Sequence, residues 1–165
     1  MYNYKKSARV ITKAAAEVSR LGVVPLIRRL SLEDYDQIYR LWQSTPGVGL
    51  DNMDDSREGI QRFLLRNPST SFVEEIDGRI VGVILGGHDG RRGHIYHACV
   101  ETAYRRSAIG TKLVRKVIEA MKEDKITKVT LVAFKDNISG NTFWKQSGFL
   151  WREDLNYYAL SLKDA

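Results

Sequence analysis

Residues 100–111 read VETAYRRSAIGT and join two segments of opposite pattern. The segment before them, 94–101, has the composition of a β-strand, and the segment after them, 109–122, repeats apolar residues at helical spacing. A helix that begins directly after a strand presents unpaired backbone N–H groups and about half a positive charge at its first turn. The stretch therefore predicts a strand, a loop and a helix N-terminus, an arrangement that suits an anion.

The side chains of this loop suit a phosphate group in particular. Ser107, Ala108 and Gly110 are small, so phosphate oxygens could approach the backbone N–H groups closely. Arg105 and Arg106 would add charge-assisted hydrogen bonds. An ordinary strand-to-helix loop with helix-capping residues has a similar composition, and the loop alone does not decide between the two interpretations.

Two common nucleotide-binding motifs are excluded for this loop. Residues 110–112 read GTK, which reverses the Gly-Lys-[Ser/Thr] order of a Walker A loop, and the upstream glycine of that motif is missing. The Gly-x-Gly-x-x-Gly fingerprint of dinucleotide-binding folds is also absent. A phosphate-bearing ligand of another kind is the remaining candidate.

The pattern on both sides of the loop predicts one α/β domain with the order βααβββαβαββ. A two-residue turn at 77–78, Asp-Gly, is typical of a β-hairpin. The predicted strands are 23–30, 71–76, 79–85, 94–101, 128–134, 149–152 and 157–162. The predicted helices are 32–43 (after an N-cap at Ser31), 55–66, 109–122 and 138–147.

The positive charge of the chain is concentrated near its start. The 165 residues include 26 lysines and arginines against 20 aspartates and glutamates, a net charge of +6. Residues 1–24 contribute five basic residues and one acidic residue, so the rest of the chain carries only +2. We therefore predict a basic N-terminal extension at 1–22, either helical or disordered, and a domain at 23–165. Nucleic acid is not an expected partner.

Composition excludes several classes of protein. One cysteine, Cys99, cannot form an internal disulfide, and no stretch approaches the roughly 20 apolar residues of a membrane span. The extension at 1–22 has no apolar core like that of a secretory signal. We expect a cytoplasmic protein with no membrane partner.

Residues 105–110, RRSAIG, resemble the [Gln/Arg]-x-x-Gly-x-[Gly/Ala] pyrophosphate loop of the GCN5-related N-acetyltransferases. Ala108 stands where that family usually has glycine. Downstream, Asn137, the aromatic pair at 143–144 and Gly-Phe at 148–149 follow the order of the family.

The resemblance extends beyond the loop. The order of strands and helices agrees with the family from about residue 26 to residue 162. The segment GGHDG at 86–90 is similar to that of a bacterial subgroup of uncharacterised acetyltransferases.

The family's fold is α/β, with a mixed, mostly antiparallel sheet flanked by helices and two central parallel strands that splay apart. The resemblance implies that these strands are 94–101 and 128–134, with acetyl-CoA in the gap between them. The residues implied to contact acetyl-CoA are Ala98, Cys99, Val100, Arg105, Arg106, Ser107, Ala108, Ile109, Gly110, Thr111, Asn137 and Trp144. For Asn137 the alternative is a helix N-cap, and for Trp144 it is packing alone.

The implied reaction is direct attack of a primary amine on acetyl-CoA in a ternary complex. A general base would help the amine lose its proton, and His97 and Glu101 are the candidate catalytic residues, with Glu74 and Glu75 as further carboxylates. Trp144 stands where many relatives have a tyrosine that is thought to protonate the CoA thiolate. An indole N–H is not a usable acid near neutral pH, so this step is in doubt.

Other chemistries have less support in the sequence. Cys99 lies within a strand pattern and is expected to pack as a small hydrophobe rather than to form a covalent intermediate. The histidines lack metal-ligand spacing, so no metal site is predicted. A non-catalytic acyl-CoA-binding module is the alternative function.

The implied acceptor is a small-molecule amine or a peptide amine. Its pocket is expected to form from 42–53, 86–92 and 151–158. Many relatives form homodimers through their outer strands, so a homodimer is a further expectation.

Overall fold

The computed structural model describes residues 24–162, so the predicted extension at 1–22 lies outside the described residues. The described chain contains five strands and four α-helices. The strands are β1 (Leu26–Arg29), β2 (Phe72–Ile76), β3 (Arg79–His88), β4 (Gly93–Val100) and β5 (Val129–Leu131). The α-helices are α1 (Tyr35–Gln43), α2 (Arg57–Arg66), α3 (Ile109–Glu123) and α4 (Ile138–Gln146).

The strands form one sheet in the order β1-β2-β3-β4-β5. Neighbouring strands are antiparallel from β1 to β4, and β4 pairs with β5 in parallel. This arrangement confirms the predicted mixed, mostly antiparallel sheet.

Helices cover both faces of the sheet because each strand alternates its apolar side chains between two layers. Leu113 and Val117 of α3 belong to the same buried cluster as Ile84 of β3. Ile38 and Trp42 of α1 belong to the second cluster, on the opposite face. The core is therefore two layers, with α3 on one side and α1 and α2 on the other.

A β-bulge interrupts β4 near its middle. Ile84 of β3 lies opposite Ala98, and Gly86 lies opposite Ile95. Two residue steps along β3 thus match three along β4, so β4 carries one extra residue between these pairs. The extra residue falls at positions 96–97.

The bulge turns two consecutive side chains toward the same face of the sheet. The Tyr96 ring contacts Phe63 of α2 edge-on, at 5.2 Å between centroids, and the His97 ring lies 4.9 Å from that of Trp42 in α1. In a regular strand, neighbouring side chains point to opposite faces. His97 therefore lies on the α1–α2 side because of the bulge.

A gap opens between β4 and β5 beyond the bulge. The two strands pair only from Gly93 opposite Val129 to Ile95 opposite Leu131. Beyond Ile95, β4 continues to Val100, and no strand within residues 24–162 pairs with it on that side. This confirms the predicted splay, although the parallel pair lies at the edge of the described sheet rather than at its centre.

The two strands predicted at 149–152 and 157–162 are wrong for this structure, which has no strand over either range. Trp151 is 70% exposed and Tyr158 is 85% exposed, so their apolar pattern does not reflect burial in the sheet. The strand predicted at 128–134 is also shorter in the structure, because β5 has only three residues. A further strand needs a hydrogen-bonded partner, and β5 offers little backbone for it to pair with.

The strand predicted at 79–85 ends too early, because β3 continues through Gly86 and Gly87 to His88. A Cβ on Gly86 would lie 2.5 Å from the Thr70 carbonyl oxygen, and one on Gly87 would lie 2.9 Å from the Phe63 ring. These glycines permit close packing within the strand. Consecutive glycines are also typical of turns, so their pattern alone does not distinguish the two.

Candidate functional site

The gap beside β4 exposes backbone groups of the strand. The N–H of Glu101 donates to the Val81 carbonyl oxygen of β3, at 2.8 Å. Backbone groups alternate between the two neighbours of a strand, so Cys99 also faces β3, while Ala98 and Val100 face the gap. Of the three predicted pantetheine contacts on β4, two are therefore directed into the gap by their backbone and Cys99 is not.

Arg105 is anchored at the end of the gap. Its Nε donates to the Val100 carbonyl oxygen at 3.1 Å. The guanidinium is therefore held at the boundary between β4 and the loop that follows. The neighbouring Arg106 side chain is exposed. Both predicted cations thus lie in the loop between the gap and α3.

The loop reaches α3 through two left-handed residues. Arg106 has φ +65° and Ala108 has φ +64°. Left-handed backbone costs a residue with a Cβ roughly 1–2 kcal/mol, which explains why glycine is usual at the position of Ala108 in the resembled family. Such strained backbone is concentrated at functional sites.

The first turn of α3 presents its amides to the loop. The first hydrogen bond of the helix runs from the Lys112 N–H to the Ala108 carbonyl oxygen, at 3.0 Å. The amides of Ile109, Gly110 and Thr111 precede it and have no acceptor within the helix. Together with the helix dipole, they form a positive site next to Arg105.

Two of the predicted loop residues also have structural roles. Ile109 is 4% exposed and belongs to the core under α3. A Cβ on Gly110 would lie 3.2 Å from the Phe143 ring, so glycine is also favoured here by the close approach of α3 to α4. A large residue at Gly110 would therefore disturb packing as well as any ligand.

Asn137 is the N-cap of α4, the alternative left open by the sequence. Its Oδ1 accepts a hydrogen bond from the Gly140 N–H, at 2.9 Å. Its amide nitrogen is turned toward Gly47, where a Cβ would lie 2.6 Å from Nδ2. Asn137 therefore links the start of α4 to the loop after α1, and contact with pantetheine stays a prediction.

Trp144 packs within an aromatic cluster at the end of α4. Its ring lies 5.0 Å from that of Phe143 and 5.3 Å from that of Phe149, both edge-on. These side chains pack against the core under α3. The packing alternative accounts for these contacts, and a role in binding acetyl-CoA stays a prediction.

His97 forms the most constrained polar contact beside the gap. Its Nε2 lies 2.7 Å from Oδ1 of Asp55, in the connection between α1 and α2, and its side chain is 14% exposed. Asp55 is itself 5% exposed. The two residues stand 42 positions apart in the chain, so no local motif could have pointed to this pair.

The other candidate base, Glu101, is held by a different partner. Its Oε1 lies 2.7 Å from Nη2 of Arg79, at the start of β3. Arg79 is largely exposed, so this is an ion pair in contact with solvent. Oε1 of Glu101 is therefore already engaged by a cation.

The remaining carboxylates named from the sequence are used elsewhere. Glu75 accepts from Nε of Arg28 at 2.8 Å. Glu74 is 1% exposed, 3.9 Å from Nζ of Lys112 in α3. Burial raises the pKa of Glu74, and Lys112 lowers it by less.

The environment of Cys99 disfavours nucleophilic chemistry. The residue is 6% exposed and belongs to the core layer of α1 and α2. Burial raises the pKa of the thiol to about 12, against smaller opposing effects of Thr45 and Arg105. A thiol with that pKa is protonated near neutral pH, in agreement with the packing role predicted for it.

The predicted acceptor entrance at 86–92 ends in a tight turn. Asp89 accepts backbone hydrogen bonds from Arg91, at 2.8 Å, and from Arg92, at 2.7 Å. These bonds explain the aspartate as turn chemistry. His88 lies 3.2 Å from Asp124 at the end of α3.

Neither a metal-binding cluster nor a membrane-spanning helix is found within residues 24–162. No group of three or more His, Cys, Asp or Glu side chains is arranged to hold a metal ion in this part of the chain. None of its helices is both long and apolar enough to cross a bilayer.

Comparison with known sequences connects this geometry to a family. The sequence pattern of the Acetyltransferase (GNAT) family matches residues 35–149. An acetyltransferase of Photorhabdus laumondii is 30% identical over 115 residues, covering 67% of this chain and 76% of that protein. An acetyltransferase of Sodalis glossinidius is 30% identical over 111 residues, covering 67% of this chain and 77% of the relative.

Solved structures show the same fold at lower identity. Ard1 from Thermoplasma volcanium superposes with a TM-score of 0.69 at 24% identity, over 76% of this chain and 82% of that one. PaiA N-acetyltransferase from Thermoplasma acidophilum, in complex with coenzyme A, gives a TM-score of 0.69 at 19% identity, over 79% and 92% of the two chains. On the match to residues 35–149, the chain belongs to the GNAT family of acetyltransferases.

Proposed function

We propose that this acetyltransferase moves an acetyl group from acetyl-CoA to a primary amine by direct attack in a ternary complex. The observation that carries the proposal is the open edge of β4 beside the first turn of α3. Ala98 and Val100 turn backbone groups into the gap, and the N-terminus of α3 begins nine residues after Val100. The pantetheine arm of CoA is extended and contains amides, so it suits the open edge of β4. The diphosphate at its end suits the N-terminus of α3.

The residues present fit the diphosphate. The amides of Ile109, Gly110 and Thr111 supply hydrogen-bond donors, and Arg105 and Arg106 supply positive charge. No carboxylate of the loop 105–108 opposes them. The solved relative that contains coenzyme A adds support at the level of the fold.

His97 is the proposed general base. An alkylammonium must lose a proton before its nitrogen attacks the thioester carbonyl carbon, and His97 is next to Ala98, which faces the gap. His97 takes the first proton from the alkylammonium, and the neutral amine nitrogen then forms the new C–N bond. The C–S bond breaks, and the second proton of the nitrogen leaves to water as the amide forms. We favour His97 over Glu101 because Glu101 is paired with Arg79.

CoA leaves as the thiolate in this mechanism. Its thiol resembles that of free cysteine, with a pKa near ~8.5, so the thiolate is an acceptable leaving group. Trp144 cannot protonate it, and the proton that reaches His97 can pass to solvent after the acetylated amine departs.

A non-catalytic acyl-CoA-binding module is the second candidate. The observation that favours it is Trp144, which packs in an aromatic cluster at the position where many relatives have tyrosine. The family assignment and the His97–Asp55 contact favour catalysis.

An amine panel with detection of released thiol separates the two candidates. Small polyamines, an aminoglycoside, aromatic amines and peptides with a free N-terminus or a lysine are incubated with protein and acetyl-CoA, and products are identified by mass spectrometry. Cys99 is buried, so its own reaction with a thiol reagent should be slow. Acetylated product above the uncatalysed rate supports the enzyme, whereas tight binding of acetyl-CoA with no product from any class supports the binding module.

A homodimer stays a prediction from the resemblance. Apolar side chains near the end of the described chain are largely exposed, among them Trp151, Tyr158 and Leu160 at 70%, 85% and 85%. Light scattering of the full chain measures the mass directly. A mass of one chain at working concentration would contradict the prediction.

A further inference from the structure

Asp55, in the segment that connects α1 and α2, is held by several hydrogen bonds. Its Oδ2 accepts from the Asp51 N–H at 2.7 Å, and its own N–H donates to the Asp51 carbonyl oxygen at 3.0 Å. Its carbonyl oxygen accepts from the Tyr35 hydroxyl at 2.9 Å. Its remaining carboxylate oxygen, Oδ1, faces Nε2 of His97 at 2.7 Å. Asp55 is therefore a rigid acceptor aimed at the imidazole.

The His97 ring is held from a second direction. The Trp42 ring lies 4.9 Å away at an interplanar angle of 54°, and Trp42 is 1% exposed. Packing on a buried indole limits rotation of the imidazole, and the contact with Asp55 fixes Nε2 as the ring nitrogen that faces the carboxylate. Neither constraint depends on a ligand.

The chemistry of the pair selects one tautomer. A carboxylate only accepts hydrogen bonds, so Nε2 must carry the hydrogen that it donates to Asp55. In the neutral ring, Nδ1 then has the lone pair. Nδ1 is bonded to Cγ and so lies on the backbone side of the ring, close to the strand whose next residue, Ala98, faces the gap.

We propose that Asp55 is the positioning residue of the acetyl transfer: it holds His97 as the Nε2–H tautomer, so that Nδ1 accepts the proton of the attacking amine. The inference rests on the proposed function and adds a residue to it. When Nδ1 takes the proton, the Asp55 carboxylate stabilises the imidazolium. The neutral amine nitrogen then forms the C–N bond, its second proton leaves to water, and CoA departs as the thiolate.

The tautomer can be measured without any turnover. Long-range ¹H–¹⁵N correlation spectra distinguish the two ring nitrogens of each histidine, and the chain has only three histidines. Loss of one signal set in His97→Ala assigns the residue. We expect a protonated Nε2 and an unprotonated Nδ1 in the wild type at about pH 8, where an ordinary imidazole is neutral. A protonated Nδ1, in either the other tautomer or the imidazolium, would overturn the proposal.

The matching kinetic test uses Asp55→Asn, with Asp54→Asn as the control in the same loop. Asp54 is exposed and forms no side-chain bond comparable to that of Asp55. An asparagine can donate to Nε2 and so favours the Nδ1–H tautomer, as in the corresponding aspartate-to-asparagine change of a catalytic triad. We expect kcat to fall by roughly 10²-fold with the KM for acetyl-CoA unchanged, the tautomer to reverse, and Asp54→Asn to behave as wild type.

The double variant shows whether the two residues act as a unit. His97→Ala with Asp55→Asn should be no slower than His97→Ala alone, since Asp55 acts only through the imidazole. Equal kcat in Asp55→Asn and wild type would overturn the positioning role while leaving the proposed function intact. Absence of turnover with every amine would instead count against the proposed function, and the spectra of the wild-type protein would still decide the tautomer. They also decide it if Asp55→Asn does not fold.

Discussion

Ile95 of β4 lies opposite Leu131 of β5, and this is the last position at which the two parallel strands pair. The bulge at 96–97 follows directly, so the loss of pairing and the turn of His97 toward Trp42 occur at the same place in β4. One local irregularity thus opens a gap beside the strand and puts a titratable ring next to it. The proposed acetyl transfer depends on both consequences.

Arg106 is expected to contribute charge to ligand binding and little to the fold. Its side chain is exposed, and its neighbour Arg105 rather than Arg106 bonds to β4. Arg106→Ala should weaken acetyl-CoA binding by about tenfold at low salt, the size of a charge-assisted hydrogen bond. Isothermal titration at two salt concentrations checks this. The difference from wild type should shrink at the higher one, and a difference unaffected by salt would argue against an electrostatic role.

Ala108→Gly is expected to stabilise the protein. Ala108 has φ +64°, which glycine adopts without steric cost. Relief of the strain exceeds the extra entropy of glycine in the unfolded chain, so the free energy of unfolding should rise by about 0.5–1 kcal/mol. Urea denaturation measures it. Ala103→Gly in the preceding 3₁₀ turn, where φ is not positive, is the matched control and should give no gain. A loss of stability in Ala108→Gly would contradict the strain assigned to this loop.

The strand, loop and helix start around residues 105–110 could be predicted because their signals are contiguous. Residues 105–110 combine cations, small residues and a helix start within six positions, so a loop that leads into a helix N-terminus could be predicted locally, and the family resemblance then implied a phosphate ligand. The Asp55–His97 contact joins residues 42 positions apart, and Asp55 resembles any acidic residue near the start of a helix. Such a contact follows from the packing of α1 on β4 and is not a property of either segment.

The predictions from the sequence were wrong where the same residue type occurs in two kinds of structure. Gly86 and Gly87 indicated a loop, yet they lie within β3, where neighbouring groups leave no room for a Cβ. The residues at 149–152 and 157–162 have the composition of strands but are paired with no strand in the described chain. Composition indicates what a segment can form, and the available partner decides whether it forms.

Glu74 is expected to reduce stability as the pH rises. Burial raises its pKa above the ordinary value of 4.5, so the folded protein binds a proton that the unfolded chain releases. Stability from this group is complete below pH 4.5 and is lost as the pH rises through the raised pKa. Glu74→Gln should therefore melt higher than wild type at pH 7–8, with the difference disappearing near pH 4.

Melting curves of wild type and Glu74→Gln across this pH range test the sign of the effect. Glu123→Gln is the control, because Glu123 is exposed at the end of α3. A variant that melts lower than wild type at pH 7–8 would mean that the Lys112 ion pair outweighs burial.

Arg28 is expected to be the main support of the first turn after β1. It donates to both oxygens of Asp34, at 2.7 and 2.8 Å, and to Glu75 at 2.8 Å. Arg28→Met would leave the buried Asp34 carboxylate without its guanidinium and should cost about 2 kcal/mol, less than for a fully buried pair because Arg28 is partly exposed. Arg29→Met, at an exposed position of the same strand, is the control.

The same pair predicts a loss of stability in acid. Burial opposes ionisation of Asp34, but hydrogen bonds from Arg28 and Ser31 outweigh it and lower the pKa below the ordinary 3.8. Stability from Asp34 is therefore present above pH 3.8 and is lost as the pH falls through the lowered pKa. Urea denaturation at pH 3 and pH 6 should show a smaller difference between Arg28→Met and wild type at pH 3. An equal difference at both values would contradict the ion pair as its source.

The central claim is that acetyl-CoA binds with its diphosphate at the first turn of α3. Thr111 is the third residue of that helix and is exposed. A glutamate there favours the helix through its dipole but places a carboxylate where the diphosphate is proposed to lie. The control is Thr102→Glu, at an exposed position in the turn before the loop.

Calorimetric titration of acetyl-CoA into wild type, Thr111→Glu and Thr102→Glu is the most direct measurement. We predict micromolar binding to wild type and to Thr102→Glu, and loss of binding in a Thr111→Glu protein that melts no lower than wild type. Binding of equal strength to all three proteins, or to none of them, would contradict the claim.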